Sequence, residues 1–282
     1  MSTPRTLVLP HGVEAVTLDT PRGPFAAHKA GARGDSRGHI LLIPGWTGSK
    51  EDFTPILPFL ATAGFHVTAY DQRGQFETPG KPDDDYSLDG YAADALAVRA
   101  VSGTPSSHLL GHSFGGLVAQ TAAVADVKAW LSLSLLCSGP GALGQSESEA
   151  RPLTLLAQAI GNMPLAQIHQ YREKMAGIQR PPEIAAFLAR RFESNGPESL
   201  KAMTQLLIDA PDGLDKVIAL DLPTWVGRGK NDDAWPHEVQ AEMARRLGVE
   251  IVVIRAAAHS PAIENPEGTA EALLKFWGWI SA

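Results

Sequence analysis

Residues 108–118 read HLLGHSFGGLV and place Ser113 between an apolar run and a helix-forming stretch. The pattern G-x-S-x-G, from Gly111 to Gly115, is typical of a serine on a sharp, strained turn that joins a strand to a helix. Glycines on both sides let neighbouring backbone pass where a Cβ would clash. The helix that begins beside the serine favours the negative charge formed when a hydroxyl attacks a carbonyl. We therefore predict that Ser113 is a nucleophile.

Outward from this turn, short apolar runs alternate with longer amphipathic segments. The predicted strands are residues 13–18, 24–29, 39–43, 66–70, 108–111, 129–136, 224–227 and 250–256. The predicted helices of this part of the chain are residues 55–63, 88–101, 114–125, 236–247 and 266–280. The first two strands form a hairpin, and the later alternation of strand and helix is typical of parallel pairing. The fold class is therefore α/β, with a mostly parallel eight-stranded sheet flanked by helices.

One long segment interrupts the alternation. Between residues 139 and 220 the pattern predicts only helices, near residues 153–160, 165–175, 183–192 and 198–209. About 80 residues are too many for an ordinary connection inside an α/β domain. We therefore predict a core formed by residues 1–138 and 221–282, with residues 139–220 inserted as a helical cap.

A serine hydroxyl needs a base to take its proton, and the base needs a carboxylate to orient it. His259 follows the predicted strand 250–256, and Asp232 follows the predicted strand 224–227. Both lie where ligand chemistry collects in open α/β sheets, and the order Ser, Asp, His is the one expected for such a turn. Asp233 is the alternative carboxylate and is the less favoured because it suits a solvated loop or a helix cap.

Acyl transfer also needs backbone donors for the oxyanion. The N–H of Phe114, directly after the nucleophile, is one predicted donor. Trp46 supplies the other, because it follows the apolar run 40–43 within the glycine-containing loop PGWTGS at residues 44–49.

These segments together resemble the α/β-hydrolase fold superfamily, and in particular serine hydrolases with a helical cap. The matching stretches are LIPGWTGS at 42–49, YDQRG at 70–74, GHSFGG at 111–116, GKND at 229–232 and HSPAIENP at 259–266. The resemblance spans nearly the whole chain and implies this fold. It leaves the reaction open, because the superfamily includes esterases, lactonases, thioesterases, C–C bond hydrolases, perhydrolases and cofactor-free oxygenases.

Two features depart from the commonest family pattern. Pro44 and Gly45 stand where many members have His-Gly, and this loop, with the residues after His259, is also similar to cofactor-free dioxygenases. Those dioxygenases place their acid after an earlier strand, whereas residues 131–136 carry no carboxylate here. Asp232 occupies the ordinary hydrolase position, which favours hydrolysis.

The predicted substrate is a small to medium apolar or aromatic carboxylic ester, a lactone or a thioester. The residues expected to border its pocket are Trp46, His112, Phe114, Trp235, Ile160 and Met163. No Arg or Lys can be assigned from the sequence to a substrate carboxylate, which leaves C–C bond hydrolysis open. A dioxygenase that uses the His-Asp pair and a non-catalytic small-molecule receptor are the remaining alternatives.

Composition narrows the partners. The chain has 282 residues, 44% of them hydrophobic, and a formal charge of −7, which disfavours nucleic-acid binding. The single cysteine, Cys137, excludes an internal disulfide, and no long apolar run predicts a signal peptide or a membrane span. His108 and His112 are separated by a strand end and do not form a zinc pair. We expect a cytoplasmic monomer or homodimer with a small-molecule substrate, no cofactor and no metal.

Overall fold

A computed structural model of the chain describes residues 2–143 and 147–280. Residues 144–146 of the predicted cap and residues 1, 281 and 282 of the predicted core lie outside the described residues.

The first half of the chain follows the predicted alternation. Its elements are β1 (Val13–Thr20), β2 (Gly23–Ala30), β3 (His39–Ile43), α1 (Leu57–Thr62), β4 (His66–Tyr70), α2 (Leu88–Ala100), β5 (Ser107–His112), α3 (Phe114–Ala125) and β6 (Trp130–Leu136). The predicted helix 55–63 is shorter than expected, because its start is a turn of 3₁₀ helix at Thr54–Ile56. Pro55 lies inside that turn, where its missing N–H costs nothing.

The second half contains five helices before the last two strands. The elements are α4 (Glu147–Ala159), α5 (Leu165–Ala176), α6 (Pro182–Glu193), α7 (Pro197–Asp209), α8 (Leu214–Ile218), β7 (Thr224–Gly229), α9 (His237–Arg246), β8 (Ile251–Ile254), α10 (Pro261–Glu264) and α11 (Pro266–Ile280). The sequence did not predict α8 and α10, because helices of about one turn are too short to show a 3.6-residue period.

The eight strands form one sheet in the order β1-β2-β4-β3-β5-β6-β7-β8. The hairpin β1–β2 is antiparallel and joins β4 in antiparallel fashion, while all pairs from β4 to β8 are parallel. The predicted α/β fold with a mostly parallel eight-stranded sheet is confirmed. Because parallel strands end at one edge, the loops after β3, β5, β7 and β8 meet there.

Helices cover both faces of the sheet. One buried cluster joins the sheet to α2, α3 and α9 and includes Tyr91, Phe114 and Met243. The other joins it to α1 and α11 and includes Leu60 and Trp277. This burial on both faces explains why the central strands read as continuous apolar runs rather than as alternating patterns.

The helices α4 to α8 occupy the insertion between β6 and β7, and we keep the name cap for residues 139–220. A small group of residues, here called the cap cluster, packs α4 to α7 together: Ile160, Leu165, Ile168, Phe192 and Leu200. The boundary between cap and core stays a prediction. Within the described part of the chain, no helix combines the length and apolar character needed to cross a membrane.

Candidate active site

Ser113 lies on a strained turn between β5 and α3. Its backbone has φ 56° and ψ −124°, a conformation that a residue with a Cβ rarely adopts. The turn is tight enough that a Cβ on Gly111 would lie 2.2 Å from the carbonyl oxygen of Gly115. The G-x-S-x-G pattern therefore has a steric basis, and Ser113 stands at the carboxyl edge of the sheet with α3 beginning behind it.

His259 lies between Ser113 and Asp232 and contacts both. His259 Nε2 is 3.0 Å from Ser113 Oγ, and His259 Nδ1 is 2.7 Å from Asp232 Oδ1. Because a carboxylate only accepts, Nδ1 carries the proton, and the unprotonated Nε2 accepts from the serine hydroxyl. The loops after β5, β7 and β8 thus bring residues 113, 232 and 259 together at one edge of the sheet.

Asp232 is fixed by donors other than His259. The Ala234 N–H donates to its Oδ1 at 3.2 Å, and Gln240 Nε2 donates to its Oδ2 at 2.9 Å. Burial alone raises the pKa of this carboxyl, but the hydrogen bond and charge of His259, with the donors from Ala234 and Gln240, hold the pKa below its ordinary value. Asp232 therefore stays ionised at neutral pH, while Asp233 is exposed.

Two residues hold the His259 loop: His112, which the sequence predicted only as a pocket residue, and Glu264, to which it assigned no role. His112 Nε2 donates to the carbonyl oxygen of His259 at 2.5 Å, and burial lowers the pKa of His112 to about 3, so this ring is neutral. Glu264 Oε2 accepts from the N–H of Ala258 at 2.6 Å and of Ser260 at 3.2 Å. The Ser260–Glu264 spacing of four residues is not that of a capping box, so no local motif marked Glu264 in the sequence.

The loop after β3 lies directly against the nucleophile. A Cβ on Gly45 would lie 2.9 Å from Ser113 Cβ, and Gln75 Nε2 fixes the Gly45 carbonyl oxygen at 2.8 Å. Trp46 follows in this loop. Neither the backbone N–H of Trp46 nor that of Phe114 donates to another residue in the described ranges, as expected of donors that await a ligand.

A family model for the alpha/beta hydrolase family matches residues 40–272 of the chain. The chain belongs to the alpha/beta hydrolase family. This family assignment makes the protein a hydrolase and confirms the resemblance seen in the sequence.

Individual relatives of this hydrolase carry different activities in their names. A protein provisionally named carbamate hydrolase RutD, from Variovorax paradoxus, is 29% identical over 86% of this chain and 92% of its own length. A non-heme haloperoxidase from Rhodococcus erythropolis is 26% identical over 84% of this chain and 91% of its own. A thermophilic esterase from Thermogutta terrifontis superposes with a TM-score of 0.77 at 23% identity, covering 95% of this chain and 100% of that one. The last similarity shows the shared fold.

The residues predicted to border the pocket of this hydrolase occupy different surroundings. His112 and Trp46 lie beside Ser113, and Trp46 also packs against the cap cluster, of which Ile160 is a member. The side chain of Phe114 lies in the core, edge-on to Tyr91. Trp235 is buried and Met163 is 45% exposed. Their assignment to a substrate pocket stays a prediction.

Three potential metal ligands of the hydrolase lie close together. The donor atoms of His112, Cys137 and His259 are all within 4.8 Å of one another. Both ring nitrogens of His259 are already engaged by Asp232 and Ser113, and burial raises the pKa of the Cys137 thiol, which disfavours the thiolate that a metal needs. The donor set fits hydrogen bonding around His259 better than metal binding, and we assign no metal to it.

Proposed function

We propose that this hydrolase cleaves carboxylic esters through a serine nucleophile, Ser113, with His259 as the base and Asp232 as its orienting carboxylate. The hydrogen-bond chain from Asp232 through His259 to Ser113 carries the proposal. Its two distances, 2.7 and 3.0 Å, are within the range needed for proton transfer.

The first half of the proposed reaction acylates Ser113. His259 Nε2 takes the hydroxyl proton as Oγ attacks the substrate carbonyl, and the ionised Asp232 stabilises the imidazolium that forms. The N–H groups of Trp46 and Phe114 donate to the oxyanion of the tetrahedral intermediate. His259 then gives its proton to the leaving alcohol, and the acyl-enzyme remains.

The second half releases the acid. Water takes the place of the alcohol, and His259 removes one of its protons as the oxygen attacks the acyl carbonyl. The same two N–H groups stabilise the second oxyanion. When this intermediate collapses, His259 returns the proton to Ser113 Oγ and the carboxylic acid leaves. The free hydrolase is then ready for another substrate.

The surroundings of Trp46 support a small to medium apolar or aromatic substrate. Trp46 lies between the nucleophile loop and the cap cluster, and its Nε1 donates to Thr204 Oγ1 on α7 at 3.0 Å. The cap residues that pack beside the loop are mostly aliphatic and aromatic, with Thr204 and Arg172 as polar exceptions. Such a surface suits the apolar acyl part of an ester, a lactone or a thioester.

A fluorophosphonate probe tests the proposal without knowledge of the substrate. We expect one covalent adduct in the intact mass of the wild-type protein, and none in Ser113→Ala or His259→Ala, because only an activated serine attacks the probe. Ser194→Ala, which removes an exposed hydroxyl at the end of α6, should label like wild type. An unlabelled wild-type protein, or a labelled Ser113→Ala variant, would contradict the proposed function, and oxygen consumption would then test the dioxygenase alternative.

A further inference from the structure

Two buried nitrogen atoms on α5 have no hydrogen-bond partner among the described residues. They are Arg172 Nη1 and His169 Nδ1, three positions apart on the same face of the helix. Leaving a buried donor unpaired is costly, and the cost is larger for a charged group. We therefore expect a hydrogen-bonding ligand to bind these two unpaired nitrogen atoms.

Aromatic rings hold both side chains in place. The Arg172 guanidinium carbon lies 5.0 Å from the centre of the Trp46 ring and 5.1 Å from that of Phe192. The His169 ring stacks on Phe192 at 5.6 Å with an angle of 30° between the planes. The guanidinium is thus positioned by cation–π contacts, which leave its N–H groups available for an acceptor.

No described carboxylate forms an ion pair with Arg172. The adjacent carboxylate, Glu173, is bonded to Arg180. Burial lowers the pKa of Arg172, against a smaller opposing effect of Glu173. Arg191 on α6 is the contrast in charge, because Asp52 forms an ion pair with its guanidinium and the Ser2 carbonyl accepts from it, although its Nε has no partner among the described residues.

The unpaired cation stacks on the loop that contacts the nucleophile. Trp46, over which Arg172 stacks, directly follows Gly45, and Gly45 is in contact range of Ser113. One aromatic side chain thus separates the guanidinium from the loop that we propose to bind the oxyanion. A group that binds Arg172 can therefore belong to the same molecule whose carbonyl lies at Ser113.

We propose that Arg172, assisted by His169, binds a carboxylate carried by the substrate at the end remote from the bond that is cleaved. This inference rests on the proposed function and narrows its substrate class to esters with an apolar body and a free acid group. The planar fork of an arginine matches a carboxylate, which accepts two parallel N–H bonds. The apolar cap cluster suits the chain between the two ends.

Matched chromogenic esters test this inference. The acidic substrates are the mono-p-nitrophenyl esters of adipate and suberate, and the neutral ones are p-nitrophenyl hexanoate and octanoate, which have the same chain lengths. We expect wild type to prefer the acidic ester of a pair, and Arg172→Gln to lower kcat/KM for it by about 10- to 100-fold, the effect of one charged hydrogen-bonding partner. The rate on the neutral ester should be unchanged, which also shows that the variant is folded.

Two further variants control for charge and for stacking. Arg172→Lys keeps the positive charge and should restore part of the preference, whereas Arg190→Gln removes an exposed arginine that stacks on Phe76 and should behave like wild type. Equal rates on acidic and neutral esters in wild type would overturn the inference. A preference that survives Arg172→Gln, or equal losses on both esters, would overturn it as well.

Failure of the proposed function gives a different result. If no ester is hydrolysed and no serine is labelled, the serine mechanism is wrong, and calorimetric titration with adipate alone then decides the inference. Binding that is present in wild type and lost in Arg172→Gln supports the carboxylate site. Titration without heat of binding in wild type overturns it.

Discussion

Asp232 is held by three donors at once, and this fixes the orientation of His259. The donors are the ring N–H of His259, the backbone N–H of Ala234 and the side chain of Gln240. An amide in place of the carboxylate presents an N–H to one of these donors and so disturbs the ring that it orients.

We therefore predict that Asp232→Asn lowers kcat by about 10³- to 10⁴-fold, as expected when the base is held in the wrong tautomer. The rate of hydrolysis of p-nitrophenyl hexanoate measures the effect. Asp233→Asn is the matched control, because that neighbour is exposed and does not contact His259, and its rate should equal that of wild type. Equal losses in the two variants would show that Asp232 does not act through His259.

At the scale of residues, sequence could place Ser113, Asp232 and His259 because each follows a strand in a recognisable motif. It could not find Arg172 or His169. Their significance is that Arg172 Nη1 and His169 Nδ1 have no hydrogen-bond partner among the described residues, and such pairing depends on which helices face one another in three dimensions. Gln240, which bonds Asp232 across a turn and a helix start, was missed for the same reason.

At the scale of elements, the contact between α6 and the core includes a buried ion pair. Arg191 Nη1 donates to Asp52 Oδ1 at 2.8 Å, and its Nη2 donates to the Ser2 carbonyl oxygen at 2.5 Å. Asp52 lies in the short helical turn that follows the Trp46 loop. One side chain of the cap thus fixes α6 both to this turn and to the start of the chain.

Arg191→Met should lower the free energy of unfolding by about 3–5 kcal/mol, because it leaves the buried Asp52 carboxylate without its cation. Adding Asp52→Asn should recover part of the loss, since the remaining group is then neutral. Urea unfolding followed by circular dichroism gives both values. Asp52→Asn alone should also be measured. If the double variant loses as much free energy of unfolding as the two single variants added together, the two residues do not act as a pair.

The cap helices were predictable because prolines and glycines mark their ends. Pro164, Pro181 and Gly196 directly precede α5, α6 and α7. Their mutual packing was not predictable, since an apolar stripe shows that a face is covered and does not identify the covering element.

At the scale of the whole molecule, several histidines are buried in or beside the sheet, and three of them have strongly lowered pKa values. Burial lowers the pKa of His39 to about 3, of His108 to about 4 and of His112 to about 3, from an ordinary value of 6.5. His39 lies between strands, with Ser107 and Thr68 bonded to its two ring nitrogens at 2.9 Å. None of these rings accepts a proton in the folded state until the solution is strongly acidic.

We predict that acid destabilises the protein through these histidines. Below pH 6.5 these histidines bind protons in the unfolded chain but stay neutral in the folded chain. The free energy of unfolding is therefore highest above pH 6.5 and decreases as the pH falls towards 4. Each histidine contributes about 1.4 kcal/mol per pH unit in that window. Urea unfolding at several pH values measures the slope, and His39→Gln, which keeps a donor and an acceptor, should flatten it by one histidine's share. A slope unchanged in this variant would contradict the prediction.

The count and class of the strands were predictable because parallel strands covered on both faces read as apolar runs. The spatial order β4-β3-β5 was not predictable from the sequence. Which strands become neighbours in the sheet depends on how the connecting helices pack, and a pattern along the chain does not show this. The position of the helices α4 to α8 between β6 and β7 was predictable from the long stretch without strands.

That position also sets the order in which the proposed catalytic parts are made. Ser113 belongs to the part of the chain before the cap, whereas Asp232 and His259 follow it, after β7 and β8. A ribosome releases the N-terminal part first. A nascent chain therefore carries its serine without a base through the synthesis of the whole cap. In the proposed mechanism, the hydroxyl gains its proton acceptor only after β8 and His259 have been synthesised, so an incomplete translation product would not hydrolyse an ester by this route.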